Sequence, residues 1–328
     1  MFDLLKKVLA PIGPSGREEP VAEAIRQEIA PYVDEMRTDA MGNLIAVKRG
    51  KGEKPRKVMI SAHMDHIGFV VTGYEKEGFL RVTNVGGLGA SGCGNVRHVV
   101  FENGVEGVVA VEPVKGSPEM KHLFVDIGAQ DKAEAEKMVK LGDMAVFAPD
   151  VFRLGEHRVA SPAMDDRCAC ALLAKLLQTL GATEDTVIAA FTVQEEVGCR
   201  GAATASFAEA PDIGIALDVT AWGDTPETKL PDIRLGDGIG VKVMDHGSIS
   251  NPKLRDELLL CGEKAGVKTQ REVLPFGGTD AGAMQLSRGG IPVCTLSVPC
   301  RYVHSACEVI DLRDMEAGLQ VLKTYLEK

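Results

Sequence analysis

At 328 residues, 45% hydrophobic and 26% charged, the chain is long enough for one large core and a smaller second one, and too apolar to stay disordered. A formal net charge of −10, with no lysine and arginine run that provides a phosphate-tracking stripe, argues against nucleic acid as the primary partner, and the lack of a long unbroken apolar stretch excludes a membrane-spanning helix, so neither nucleic acid nor membrane is an expected partner. Eight cysteines scattered through apolar runs read as packing residues rather than a disulfide framework; with no signal-peptide apolar core after Met1, a cytoplasmic location is expected.

Two helices are predicted first, over Phe2–Ala10 and Glu18–Tyr32, the second opening on acidic residues. Strands follow near Asp34–Arg37 and Leu44–Lys48. The β-rich run from Lys57 delivers His63, and Asp65 two positions on is placed to accept the second imidazole N–H. His66 falls off that two-residue period and reads as an ordinary polar residue. From Gly68 to His157 the texture changes: short pieces such as Gly78–Val82 and Gly107–Val111 alternate with glycine-rich turns, and one polar helix lies around Lys132–Lys140. An inserted small β-rich, barrel-like domain is therefore expected over 68–157, with 1–67 and 158–328 forming the catalytic domain. Gly86–Ala90 and Gly92-Cys93-Gly94-Asn95 lack the strand–turn–helix setting of a dinucleotide loop and read as turns. His98, His122, His157 and His246 stand in no ligand context.

Asp165 and Asp166 precede an apolar helical run, Arg167–Leu180, whose N-terminus favours carboxylates, so either can be a cap; that role is assigned to Asp166. Thr186–Val193 reads as a buried strand ending in Gln194-Glu195-Glu196-Val197-Gly198. Two adjacent ionised carboxylates at such a strand end need a cation, an arginine or a shared proton. Neighbouring side chains point to opposite sides, so one glutamate can hold an ion while the other moves protons. Another buried strand, Ile213–Asp218, ends in a carboxylate. Helices are predicted over Pro252–Ala265 and Asp280–Ser287, a strand over Ile291–Ser297 with His304 in the proline-bounded loop beyond, and a last helix over Asp311–Leu326. The alternation predicts an α/β fold with a helix-flanked sheet. Its strand ends near Ala62, Val193, Leu217 and Val298 converge on one edge, where such sheets place ligands.

Taken in order, Ala62-His63-Met64-Asp65, Met164-Asp165-Asp166-Arg167, Gln194-Glu195-Glu196-Val197-Gly198, Leu217-Asp218, Gly277-Gly278-Thr279-Asp280 and Pro299-Cys300-Arg301-Tyr302-Val303-His304 resemble the motifs of the tetrahedral-shell (TET) aminopeptidases. These are two-metal enzymes that include glutamyl and deblocking aminopeptidases, and the likeness spans nearly the whole chain. It implies the mixed sheet of the two-metal exopeptidases. It also implies His63 and Asp218 on one ion, Glu196 and His304 on the other, Asp165 bridging them, and Glu195 as general base, with Asp65 supporting His63. The resemblance further implies self-association into a homododecameric shell built from dimers, admitting short peptides, with the insert making contacts. Gly277–Asp280 and Arg301-Tyr302 are expected on the substrate side, although the glycines read equally as a turn and Asp280 as a helix cap.

Two divalent ions about 3.5–4 Å apart can polarise a carbonyl and activate a water, and three carboxylates offset their mutual repulsion. Imidazole and carboxylate donors without thiolate suit zinc, with cobalt or manganese acceptable. The expected reaction is removal of the amino-terminal residue from short peptides. A metal-dependent N-acyl amino acid deacylase is the alternative, because amide hydrolysis uses the same metals and base. A glycoside hydrolase (endoglucanase), a label some relatives have carried, is disfavoured by 5% aromatic content and a single tryptophan, Trp222.

Overall fold

The computed structural model describes residues 1–93, 96–228 and 232–327. Gly94 and Asn95 of the expected Gly92–Asn95 turn lie outside them. Two amphipathic helices lead, Phe2–Leu9 (α1) and Glu19–Ile29 (α2). The second ends before the expected Tyr32 because Pro31 cannot donate to a further helical turn, and Ala30–Tyr32 tightens into a short 3₁₀ segment. Strands Glu35–Thr38 (β1), Leu44–Lys48 (β2) and Lys57–His63 (β3) follow.

Gly68–Tyr74 (β4), Leu80–Val85 (β5), Val96–Phe101 (β6), Glu106–Val111 (β7), Leu123–Asp126 (β8) and Met144–Phe147 (β9) close into a barrel in the order β4-β5-β8-β7-β6-β9. Its interior is a core of its own, with Phe69, Leu80, Phe101, Val109, Leu123, Val125 and Phe147. The helix Lys132–Met138 (α3) packs beside it, capped by Asp131, whose side chain accepts the Glu134 N–H.

The chain then returns to the large sheet earlier than expected. Phe152–Leu154 (β10) falls inside the 68–157 range assigned to the insert, yet it pairs with Arg158–Ser161 (β11), which pairs with the large sheet's Glu308–Asp311. Met164–Thr179 (α4), Thr186–Thr192 (β12), Arg200–Glu209 (α5), Ile213–Thr220 (β13), Ile239–Met244 (β14), Pro252–Ala265 (α6), Thr269–Val273 (β15), Asp280–Gln285 (α7), Val293–Arg301 (β16), Glu308–Asp311 (β17) and Leu312–Leu326 (α8) complete the chain. Two of these helices are bounded where their sequence says they should be. Asn251 caps α6 with Pro252 in its first turn, Gly266 at φ 68° closes it, and Asp311 caps α8. The alanine-rich α5 and the strands β14, β15 and β17 carry little periodic signal and are additions to the sequence reading. Pro299, expected to bound a loop, lies within β16.

Among the described residues the large sheet has 11 strands, in the order β1-β2-β12-β3-β13-β16-β17-β11-β10, with β14 against β16 and β15 beyond it. The central β12, β3, β13 and β16 are parallel; β1, β2, β17, β11 and β10 join antiparallel, and β14 runs antiparallel to β16 but parallel to β15. This is the mixed, helix-flanked α/β sheet that the sequence predicts.

Side-chain alternation assigns the two faces. Val58, Ile60, Ala62, Phe191, Ile215 and Leu217 join the core under α1, α2, α4 and α8, whereas Met59, Ala190, Ala216 and Val293 join the one under α5 and α7. His63 and Asp218 continue the second of these periods. No helix among the described residues is long and apolar enough to cross a membrane.

Candidate metal centre

The parallel strands deliver their carboxyl ends to one edge of the sheet. Thr192 stands opposite His63 and Ala216 opposite Ser61, so two further steps bring Asp218 beside His63. Asp165 lies between the two candidate histidines: its Oδ1 is 3.1 Å from His63 Nε2 and its Oδ2 is 3.3 Å from His304 Nε2. Glu196 Oε2 is also 3.3 Å from His304 Nε2, and Asp218 Oδ1 is 4.0 Å from His63 Nε2. Glu195 Oε2 stands 3.9 Å from the same His63 nitrogen. Six of the seven sequence-derived candidates, His63, Asp165, Glu195, Glu196, Asp218 and His304, therefore meet at one place.

Two expectations change. The Asp65 carboxylate was expected to receive the His63 N–H, but His63 Nδ1 lies 3.0 Å from the Asp65 backbone carbonyl and 3.5 Å from its Oδ1. That carboxylate instead accepts the backbone N–H groups of Glu195 (2.9 Å) and Glu196 (3.2 Å) and the Ser15 hydroxyl (2.6 Å). The strand ends before Asp65, so the two-residue period no longer sets its direction. Asp65 thus fastens the turn that carries both glutamates. Asp166, expected as a helix cap, makes no capping bond: Asp165 and Asp166 have non-helical backbone, and Asp166 Oδ2 accepts the His63 N–H at 3.1 Å. Asp166 consequently stands with His63 and Asp218 within ligand reach of one another.

Residues without a sequence signal complete the support. Glu308, buried at the head of β17, accepts the Asp165 N–H at 2.9 Å on one oxygen and the His304 N–H at 2.8 Å on the other. Only its place as a carboxylate opening an apolar run hinted at this. From the barrel side, Gly86 and Gly87 approach so closely that a Cβ would lie 2.9 Å from Glu196 Oε2 and 2.5 Å from the His304 ring. Arg167, fully buried, donates to the carbonyls of Val8, Pro11, Gly13 and Met64, binding the amino-terminal segment to the chain behind His63.

The charges show what the site lacks. Burial would push the His63 imidazolium down, but Asp165 and Asp65 raise it well above its usual range, and Asp165 with Glu196 lifts His304 to about 12. Burial also raises Asp218, Asp166 and Glu196, and takes Glu195 up to about 8 against the pull of His63. Asp165 moves down instead, because His304 and His63 outweigh its burial, and Asp65 is lowered against its own burial by His63 and Ser15. Two imidazoles do not neutralise this many buried carboxylates. Glu196 Oε1 and Asp166 Oδ1 are buried without a hydrogen-bond partner among the described residues. Oxygen and imidazole donors so crowded, and so short of positive charge, fit divalent cations.

The centre opens onto a cavity of about 700 Å³, walled by Trp222, Leu274, Phe276, Gly277, Gly278 and Val303. Arg301, expected to line it, is engaged by Asp224 in a two-pronged pair at 2.8 and 2.7 Å, and Tyr302 packs edge-on against Trp222 at 5.4 Å. Thr279 caps α7 in place of Asp280, whose Oδ2 accepts the Thr192 hydroxyl at 2.6 Å.

Residues 42–321 match the family model of the M42 glutamyl aminopeptidases. A lysyl aminopeptidase of Pyrococcus furiosus is 36% identical, the match covering 100% of this chain and 97% of the relative. The solved aminopeptidase from the archaeon Desulfurococcus kamchatkensis superposes with a TM-score of 0.95 at 36% identity, over 99% of this chain and 94% of that one. The TET1 peptidase of Pyrococcus horikoshii, described as assembling into a tetrahedron or a large octahedral shell, does so with a TM-score of 0.88 at 34% identity, over 100% and 99%. With a family match across most of its length and whole-chain relatives, this chain belongs to the M42 glutamyl aminopeptidase family and is a metal-dependent aminopeptidase.

Proposed function

We propose a two-metal aminopeptidase acting on short peptides, in which His63 and Asp218 hold one ion, Glu196 and His304 hold the second, and Asp165 holds both. The observation that carries this reading is Asp165, one oxygen towards each histidine. Bound divalent ions would supply Lewis acidity at the scissile carbonyl and a water made acidic enough to attack near neutral pH. Glu195, whose Oε2 stands 3.9 Å from His63 Nε2 at the edge of the centre, would take the water's proton and return it to the leaving amine. Asp65 keeps the turn carrying Glu195 and Glu196 in place through their backbone N–H groups. The apolar wall of Trp222, Leu274, Phe276 and Val303 receives the first residue's side chain.

Zinc suits this donor set best, with cobalt or manganese as acceptable substitutes. Self-association into a homododecameric shell from dimers is supported by the relative's tetrahedral assembly and by exposed Phe207, Ile249, Val273 and Leu286 on this chain. Eight cysteines with no disulfide among the described residues support a reducing, cytoplasmic setting.

The test reloads metal-free protein with zinc, cobalt or manganese and offers peptides with acidic, basic and apolar first residues, each free and N-acylated. Turnover confined to free amines is expected. Equal or faster cleavage of the acylated set would favour the deacylase and sink this reading.

A further inference from the structure

We propose that Glu195, Cys199 and Asp280 form a third cation site, distinct from the two-ion centre, which takes a thiophilic divalent ion such as cadmium or excess zinc and stops turnover by occupying Glu195. The inhibitory part rests on Glu195 being the base of the reaction. One ligand atom from each of the three residues lies within 4.8 Å of the others. Cys199 Sγ is 3.2 Å from Glu195 Oε1, whereas it is Oε2 that faces His63, so the two oxygens of one carboxylate look towards different sites. Asp280 is 2% exposed; Thr192 satisfies its Oδ2, while Oδ1 is buried without a hydrogen-bond partner among the described residues. A bare buried carboxylate oxygen is unfavourable, and a cation relieves it.

The three groups stand on separate fixed elements. Glu195 lies in the turn after β12, and Asp280 opens α7 behind the Thr279 cap. Cys199 precedes α5 with a left-handed backbone, φ 50°, and its N–H bonds to the Glu195 carbonyl at 2.9 Å. The turn that presents Glu195 therefore also aims the thiol. Cys199 and Glu195 both line the cavity, which gives an ion its way in.

Binding exchanges a proton for a metal. The Cys199 thiol gives its proton to water, its sulfur lone pair forms the metal–sulfur bond, and no electron is transferred. One thiolate and two carboxylates favour cadmium and zinc over magnesium, calcium or manganese. Their three negative charges also offset the repulsion from ions across Glu195.

The test titrates zinc-loaded enzyme with cadmium chloride, following the cadmium–thiolate ultraviolet band, the metal bound per subunit and peptide turnover. The two-ion centre has no sulfur donor, so exchange there contributes nothing to the band. Wild type is expected to take up one further ion with the band of one thiolate and to lose turnover in parallel. Both responses should need about 10-fold more cadmium in Cys199→Ser and in Asp280→Asn, each read against its own starting rate. Cys307→Ser, which removes the exposed thiol, should titrate as wild type does. An unchanged band and inhibition in Cys199→Ser, or their loss in Cys307→Ser, would overturn the site. A third ion bound with its band but with turnover intact would uphold the site and remove Glu195 from the role of base.

Discussion

His63 closes β3 and Asp218 lies two residues before the end of the adjacent parallel β13, 2% and 5% exposed, whereas Glu196 and His304 stand on loops and the His304 side chain is 35% exposed. The first pair is placed by strand register, with the Asp166 carboxylate holding the His63 backbone. The second is placed by contacts from distant parts of the chain: Asp65 on the Glu196 N–H, Glu308 on the His304 N–H, and the barrel's Gly86 and Gly87 against both side chains. Ligands fixed by a sheet are preorganised as soon as the sheet forms. Ligands fixed by loops depend on every neighbour that restrains them, so the strand-borne half should hold its ion more tightly.

In the proposed arrangement Asp165 joins the halves, and its loss should have the largest effect. Asp165→Asn is expected to empty both sites and abolish turnover, while Asp218→Asn leaves the loop-borne ion in place. Metal analysis after gel filtration decides it, and loss of a single ion in both variants would show that Asp165 is no bridge.

Glu195→Gln should keep both ions and the fold yet lose about 10²–10⁴-fold in turnover, because the amide preserves size and removes the proton acceptor. Near-normal hydrolysis at saturating metal would assign the base elsewhere. Glu308→Gln leaves one of two backbone N–H groups without its acceptor. It should weaken the loop-borne ion by about 10–100-fold and the strand-borne ion by less, as read by chelator competition. Equal weakening of both would break the proposed asymmetry.

The smallest change expected is in Gly87→Ala, where a single methyl meets the His304 ring and should weaken the same ion about 10-fold or less. Unaltered affinity would mean that the barrel loop yields freely and that the two parts of the molecule are uncoupled at this point.

The strand-borne half is the part most legible in the sequence. His63, Asp218 and the Glu195-Glu196 pair each terminate an apolar run of strand length, and parallel strands must bring such ends together. Asp166 misled because a carboxylate before a helical run is an ordinary cap, and nothing local reveals that its partner is the N–H of His63, a residue 103 positions away. Glu308 left little trace for a similar reason: β17 has 4 residues, too few to show alternation, and both groups it receives, at Asp165 and His304, are backbone N–H groups. Gly86 and Gly87 read as turn residues, which describes their local conformation but not the ring packed against them.

The strand order of the large sheet has a consequence for how the molecule is made. Neighbours at its centre, β2, β12, β3 and β13, come from residues 44–48, 186–192, 57–63 and 213–220, and the whole barrel is encoded between β3 and β12. On the ribosome the barrel can close from its own contiguous strands while β3 still has neither neighbour. For the time it takes to translate more than a hundred residues, an apolar strand with His63 at its end waits with both edges unpaired, open to a chaperone or to another nascent copy. Asp165, Glu196, Asp218 and His304 are all encoded later, so metal capture must come after that wait, and slow translation would leave this intermediate exposed for longer while the barrel is already folded.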